Sequence, residues 1–161
     1  MGASRKEWAR IHALSAHEAG HAVILRNFDQ TIVRMSIDPD LGDGQTERSP
    51  DGKLTVEQEI MVLYAGTACQ NAFAAHCENS LMALKDAARI ETLISNLFPA
   101  EDDAGAHYAE ILKRKTDQLF THGEIRSAAV ALTKRLPKFL TMDGPTVHRI
   151  IDPHLRKKEK S

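Results

Sequence analysis

The apolar positions of this chain recur mainly at helical spacing, and one short segment alternates instead. Residues 5–26 carry an apolar side chain every three or four positions and predict one long helix, with the apolar set Trp8, Ile11, Leu14, Ala22 and Leu25. Residues 31–37 are rich in β-branched side chains and alternate, so they predict a strand. From 38 to 53 the density of Asp, Gly and Pro is high, which favours a loop or an irregular hairpin.

Further helices are predicted downstream, the next of them beginning with a capping-box pattern at Thr55. The expected ranges are Thr55 to about His76, Asn79 or Ser80 to before Pro99, about Asp103 to Thr121, and about Glu124 to Leu140 with Pro137 bending its last turn. Asp143, Gly144 and Pro145 predict a turn from which a short closing helix begins. With no repeat or linker, residues 1–161 are predicted to form a single, mainly α domain with a small β-sheet or hairpin beside the first helix.

Composition and charge limit the classes of binding partner and the cellular compartment that can be expected. The hydrophobic content of 42% and charged content of 27% are typical of a globular protein, and the net charge of −1 offers no field for nucleic acid or an anionic membrane. The basic residues 156–160 are interpreted as a solvated terminus. No apolar run approaches the roughly 20 residues that span a bilayer, and no secretory segment is recognisable. Cys69 and Cys77 lack disulfide or C-x-x-C spacing, so buried reduced thiols and a soluble, cytoplasmic protein are expected.

The first predicted helix contains an H-E-x-x-H motif, in which His17 and His21 lie one turn apart on one face. Both imidazoles can then reach one zinc ion, and Glu18 can act as general base on a zinc-bound water. By chance such a motif would arise roughly three times in a hundred at this composition, and two solvated or capping histidines are the alternative. Gly20 inside the motif costs helix stability, which predicts a close approach of another element or of a ligand.

Zinc in hydrolases usually has three protein ligands, so a third must come from elsewhere. The extended H-E-x-x-H-x-x-G-x-x-H pattern is excluded because Ile24 and Asn27 occupy its glycine and histidine positions. Glu47 lies in the loop-like segment, and the candidates near the third helix are Asp86, Glu78 and His76. By spacing alone, Asp86 with Arg89 is typical of a solvated ion pair. The remaining histidines have no ligand spacing and are interpreted as surface or capping residues: His12, His107, His122, His148 and His154.

Four segments, in order and spread over nearly the whole chain, point to a family. The segment 15–23, S-A-H-E-A-G-H-A-V, closely resembles the A-x-H-E-A-G-H-A signature of the FtsH-type ATP-dependent zinc metalloproteases. Residues 63–66, L-Y-A-G, resemble that family's L-Y-G-G segment, and residues 84–89, L-K-D-A-A-R, resemble the segment that carries its ligand aspartate. Residues 140–145, L-T-M-D-G-P, resemble its closing E-T-(I/L)-D-G/A-x pattern. The chain thus looks like a stand-alone relative of the FtsH protease domain.

The resemblance implies that His17, His21 and Asp86 bind zinc and that Glu18 is the general base. It implies a zinc metalloendopeptidase acting on peptides or unfolded proteins. It also implies that the strand at 31–37 is the edge strand beside the site, where an extended substrate can add by main-chain pairing. A purely structural sheet edge is the alternative for that strand.

Two departures from the family pattern bear on function. The family's acidic pair after L-Y-G-G is replaced by Gln70 and Asn71, which is expected to alter the support of the histidines. No G-x-x-x-x-G-K-[ST] phosphate loop occurs in the chain, so folded substrates would need an ATPase or unfoldase supplied by another protein. The alternative function is a catalytically silent FtsH-protease-like domain that acts as an interaction or regulatory protein. Hydrolysis of a non-peptide amide and the oligomeric state stay open.

Overall fold

The computed structural model describes residues 4–74, 81–100 and 103–155. Within these ranges the chain forms six helices and three strands, which confirms a mainly helical fold with a small sheet. The elements are α1 (Arg5–Asn27), β1 (Ile32–Asp38), β2 (Asp43–Arg48), α2 (Val56–Phe73), α3 (Leu81–Leu97), α4 (Asp103–Leu119), α5 (Gly123–Phe139), β3 (Thr141–Asp143) and α6 (Gly144–Ile151). The residues expected at the end of the second helix and the start of the third, together with the basic segment 156–160, lie outside the described ranges.

The predicted helix starts are set by side-chain caps. The Thr55 hydroxyl accepts the Gln58 N–H at 3.2 Å and the Gln58 side chain accepts the Thr55 N–H at 3.0 Å, so the capping box of α2 is confirmed. Ser4 and Glu7 form the same reciprocal pair at the start of α1. Each box satisfies two N–H groups that have no partner inside the helix. α1 and α2 therefore begin where local sequence alone places them.

The sheet is antiparallel, with the strand order β2-β1-β3. A tight turn after β1, in which Asp38 Oδ1 accepts the N–H groups of Asp40 and Leu41, folds residues 43–48 back along β1 as an irregular hairpin. β1 is consequently the central strand, and the prediction that residues 31–37 form the edge strand is wrong. The strand at the edge of this sheet that borders the site is β2, which comes from the segment expected to be a loop or hairpin.

The three-residue strand β3 was not predicted, since Asp143 was expected to open a turn. Leu140 ends α5 in the left-handed region, with a φ of 58°, and the chain then pairs Met142 with Met35 of β1. So short a strand has no periodicity of its own and exists because β1 offers a partner. Asp143 also caps α6, its side chain accepting the Thr146 N–H at 2.8 Å.

The core is organised around α1, which lies between α2 and α5 with the sheet at one side. Ala16, Ala19 and Ala22 of α1 are fully buried and allow close helix packing. A Cβ on Gly20 would lie 2.2 Å from the Ala65 carbonyl oxygen of α2, so the close approach predicted from this glycine is confirmed. A second buried cluster joins α2, α3 and α4 through Ile60, Met61, Ile90 and Leu112. That cluster places α3 against α2 and α4.

Two smaller expectations have definite outcomes. Cys69 is a buried free thiol, as predicted, whereas Cys77 lies outside the described residues. His148 is not a simple surface or capping residue, because its half-buried ring accepts the Ile32 N–H through Nε2 at 3.0 Å. In the part of the chain that the structure describes, no helix has both the length and the apolar character needed to cross a membrane.

Candidate metal centre

Two histidines and one aspartate from distant parts of the chain converge at one point. His17 and His21 lie one turn apart on α1, their rings edge to face with centroids 4.7 Å apart. Asp86 of α3 brings its Oδ2 atom to 2.9 Å from His17 Nε2 and 3.1 Å from His21 Nε2. Their potential ligand atoms all lie within 4.8 Å of one another. Among the described residues, these three form a cluster that could hold a metal ion.

The contacts of Asp86 exclude the solvated ion pair with Arg89 that spacing alone suggested. Arg89 forms its ion pair with Glu59 of α2, whereas Asp86 contacts the two histidines. Glu47 lies on β2 opposite Arg34 and is not among the residues that line the site. The other two candidates, His76 and Glu78, lie outside the described residues.

The far ring nitrogens of both histidines have partners that fix the orientation of the rings. His21 Nδ1 lies 2.8 Å from the Val62 carbonyl oxygen of α2, which can only accept, so this nitrogen carries the proton. His17 Nδ1 lies 3.2 Å from Gln70 Oε1 and donates to it in the same manner. With Nδ1 as the donor, the neutral form of each ring has its lone pair on Nε2, at the point of convergence. This is the arrangement in which histidines bind metals.

The donor set fits a zinc ion. Ligand atoms about 2.0–2.2 Å from one tetrahedral ion lie roughly 3.4 Å apart, close to the 2.9 and 3.1 Å found here. Gly66 of α2 keeps this space open, because a Cβ at that position would lie 2.5 Å from His17 Nε2 and 2.6 Å from His21 Nε2. Two imidazoles and one carboxylate leave a fourth position for water or substrate, which is typical of catalytic zinc sites.

Charge at the site is concentrated and mutually compensated. Burial disfavours ionised Asp86, but hydrogen bonds from His17 and His21 outweigh it and lower the Asp86 pKa to about 2. Burial also disfavours protonated His21, yet the bond to Asp86 and the charge of Glu18 raise the His21 pKa to about 9. In the metal-free protein, protonated His21 therefore lies beside ionised Asp86, at the place where a metal cation would bind. Metal binding at such a site displaces protons.

Glu18 lies beside the convergence point but is not part of it. Its side chain is 3% exposed, and burial raises the pKa of its carboxyl group against the opposing influence of His21. The Thr46 hydroxyl of β2 donates to Glu18 Oε2 at 2.6 Å. Gly44 of the same strand has no side chain to displace the carboxylate, since its Cβ would lie 2.9 Å from Oε1. A buried carboxylate with a raised pKa suits proton transfer.

An open cleft of about 250 Å³ gives access to these groups. Its floor is formed by His17, Glu18 and His21, and its walls come from β2, α2 and the start of α3. Gly44, Gln45 and Thr46 of the edge strand line one wall, while Leu25, Val62, Leu63 and Met82 supply apolar surface. Lys85 reaches across to Asp43 at 2.7 Å and joins α3 to β2 at the rim.

The structure therefore brings together all four residues singled out in the sequence: His17, Glu18, His21 and Asp86. Sequence reasoning missed Thr46 and Gly44, because their approach to Glu18 depends on the register of the hairpin. Gln70 was predicted only as a departure from the family pattern. Gln70 lies one turn after Gly66 on α2, and this spacing was the available signal that both residues face α1.

Comparison with known proteins adds no assignment to this geometry. No protein-family model matches the chain, and no curated protein sequence matches it significantly.

Proposed function

We propose that this protein is a zinc-dependent metalloendopeptidase of the FtsH type. The observation that carries the proposal is the convergence of His17 Nε2, His21 Nε2 and Asp86 Oδ2 beside the buried carboxylate of Glu18. Zinc held by these three side chains would supply a Lewis acid that lowers the pKa of a water molecule and polarises a scissile carbonyl. The sequence segments around all four residues resemble those of the FtsH-type family.

In this proposal the chain's own groups handle the proton and hold the site in shape. Glu18, whose raised pKa favours proton acceptance, takes a proton from the attacking water and passes it to the leaving amine. Gln70 and the Val62 carbonyl hold the two imidazole rings through Nδ1. Glu18 and His17 are buried at the floor of the cleft, where their protein partners hold them.

The cleft favours an extended peptide as the substrate. β2 lies at the edge of the sheet as the described residues form it, and its residues Gly44 to Thr46 line the cleft. An edge strand can bind an extended peptide through main-chain hydrogen bonds. Because pairing with an edge strand requires an extended chain, unfolded segments are the expected substrates, and folded ones would need an unfoldase from another protein.

The decisive experiment measures zinc content and cleavage of an unstructured peptide library by the purified protein. About one zinc per chain and cleavage within peptides are expected. Glu18→Gln should lower turnover by about 10²- to 10⁴-fold while zinc stays bound, because the ligands are untouched. Glu47→Gln, which removes a charge from the same hairpin outside the cleft, is the matched control.

The competing function is a catalytically silent domain that retains the fold and acts in regulation. The neutral Gln70, at a position where the family pattern carries an acid, is the observation in its favour. Zinc binding without turnover of any library peptide would support this alternative and refute the enzyme. Turnover that survives Glu18→Gln would refute the mechanism.

A further inference from the structure

We propose that Thr46 is a positioning residue that holds the Glu18 carboxylate in the orientation needed to accept a proton. The inference rests on the proposed function and adds a residue that neither the H-E-x-x-H motif nor the resemblance to the FtsH-type family assigns. Its basis is a contact between the edge strand β2 and helix α1 at the floor of the cleft.

The contact itself has the length of a charge-assisted hydrogen bond. Thr46 Oγ1 lies 2.6 Å from Glu18 Oε2 and 3.3 Å from the Glu18 carbonyl oxygen. A hydroxyl has one proton to donate, and the shorter distance assigns it to the carboxylate. Thr46 is itself half-buried and fixed in the strand by pairing with Met35 of β1.

This bond makes the two oxygens of Glu18 unequal. Oε2 is occupied by the Thr46 hydroxyl, while Oε1 lies against the backbone of Gly44, where a Cβ would come within 2.9 Å. A glutamate side chain has three rotatable bonds, so a buried carboxylate without a fixed partner could turn either oxygen towards the reacting water. Thr46 holds Oε2, and Gly44 leaves room for Oε1. The strand thus selects Oε1 as the proton acceptor.

The contact also ties the base to the strand proposed to bind substrate. Gly44, Gln45 and Thr46 line the cleft, so a peptide paired with β2 would take its position from the same residues that fix Glu18. The same strand would then position both the general base and the scissile bond. Small displacements of reacting groups are costly, with about 1 Å of misplacement lowering rates by about 10²-fold.

The test compares Thr46→Val with Thr46→Ser in the zinc-loaded protein. Valine keeps the shape and strand propensity but removes the hydroxyl, so kcat should fall about 10- to 100-fold while KM and zinc content change less than about twofold. Serine retains the donor and should restore most of kcat. Thr141→Val, the same change in the exposed position of β3, is the matched control and should leave both constants unchanged.

A second measurement needs neither metal nor turnover. In the metal-free protein, Thr46→Val should lower the urea midpoint of unfolding when Glu18 is present and shift it little in a Glu18→Ala background. Such non-additivity reports a direct interaction between the two side chains. Additive shifts would overturn the proposal, as would a Thr46→Ser variant that loses as much kcat as Thr46→Val.

The outcomes separate this inference from the function on which it rests. If Glu18→Gln abolishes cleavage but Thr46→Val retains wild-type kcat, the positioning role is refuted and the proposed function stands. If the wild-type protein cleaves no peptide, the proposed function fails. The denaturation cycle still decides whether Thr46 holds the carboxylate.

Discussion

The floor of the cleft and its walls differ in how deeply they bury their polar side chains. The floor, formed by α1, buries its polar groups almost completely, with His17 at 0% and Glu18 at 3% exposure. The walls, formed by β2 and the start of α3, join through Lys85 and Asp43, whose side chains are 56% and 33% exposed. A buried polar group must be satisfied or the fold loses free energy, whereas an exposed ion pair contributes little. Substitutions of buried floor residues should therefore lower the free energy of unfolding far more than substitutions of the exposed ion pair.

Asp86 is the point where a wall element reaches the floor, and its replacement should have the largest effect. Asp86→Ala removes one of three converging ligand atoms, so zinc affinity should fall by more than the about 100-fold typical of losing an outer partner. Competition with a fluorescent chelator measures this affinity. Asp43→Ala removes a neighbouring wall carboxylate that is not in the cluster and should leave affinity unchanged. Equal affinities for both variants would exclude Asp86 as a ligand.

Gly66→Ala tests how little space the floor has. The added methyl would lie 2.5 and 2.6 Å from the two Nε2 atoms and would occupy the place where the histidines converge. Overpacking should lower the free energy of unfolding by about 1–3 kcal/mol and zinc should no longer bind. Gly105→Ala in α4 meets only Ile94 and Phe98 side chains, at 3.1 Å or more, and is the control that should keep its zinc. Retention of zinc by Gly66→Ala would show that the metal lies elsewhere.

Local and long-range features of this site were not equally predictable. The starts of α1 and α2 follow from spacing and from the caps at Ser4 and Thr55, which involve residues only three positions apart. Their spacing also puts His17 and His21 on one face of α1. Asp86 could not be chosen by spacing, because its partners lie 65 or more residues away and depend on how α3 docks. Its selection came from the family resemblance.

The arrangement of the sheet also depends on long-range contacts and was only partly predictable. A strand at 31–37 is visible as an alternating pattern, but whether it lies at the centre or the edge depends on which segments pair with it. β2 provides one partner, from the segment predicted to be a loop or an irregular hairpin, and β3 provides the other, from a predicted turn. The contact between Thr46 and Glu18 follows from that register, so the sequence carried no local signal of it.

The charge pattern of the floor predicts how the metal-free protein responds to pH. Asp86 has its pKa lowered to about 2, so its stabilising contribution is present above the unfolded value near 3.8 and is lost as pH falls towards 2. His21 has its pKa raised to about 9, so its contribution is present below the unfolded value near 6.5 and is lost as pH rises through about 9. The raised pKa of Glu18 also makes the folded state less stable as pH rises above 4.5.

Together the shifts of Asp86 and Glu18 place the maximum stability of the metal-free protein between about pH 3.8 and 4.5, and the shift of His21 adds a further loss from about pH 6.5 to 9. Urea unfolding of the chelator-treated protein across pH 4 to 9 measures this profile. Asp86→Ala should flatten it on the alkaline side, because His21 then lacks the partner that stabilises its charged form. A profile that is identical in the two proteins would refute the assigned interaction.

The ion pair between Lys85 and Asp43 should have the smallest effect of all. Both side chains are substantially exposed at the rim, so Lys85→Ala is expected to change the free energy of unfolding by less than about 1 kcal/mol. Zinc affinity should stay at the wild-type value, although Lys85 is the immediate neighbour of Asp86, because its ammonium group points to β2. Adding salt should shrink even the small stability difference, since screening weakens exposed pairs. A loss of zinc affinity in Lys85→Ala would mean that the walls hold the floor in place, and that the two regions are not independent.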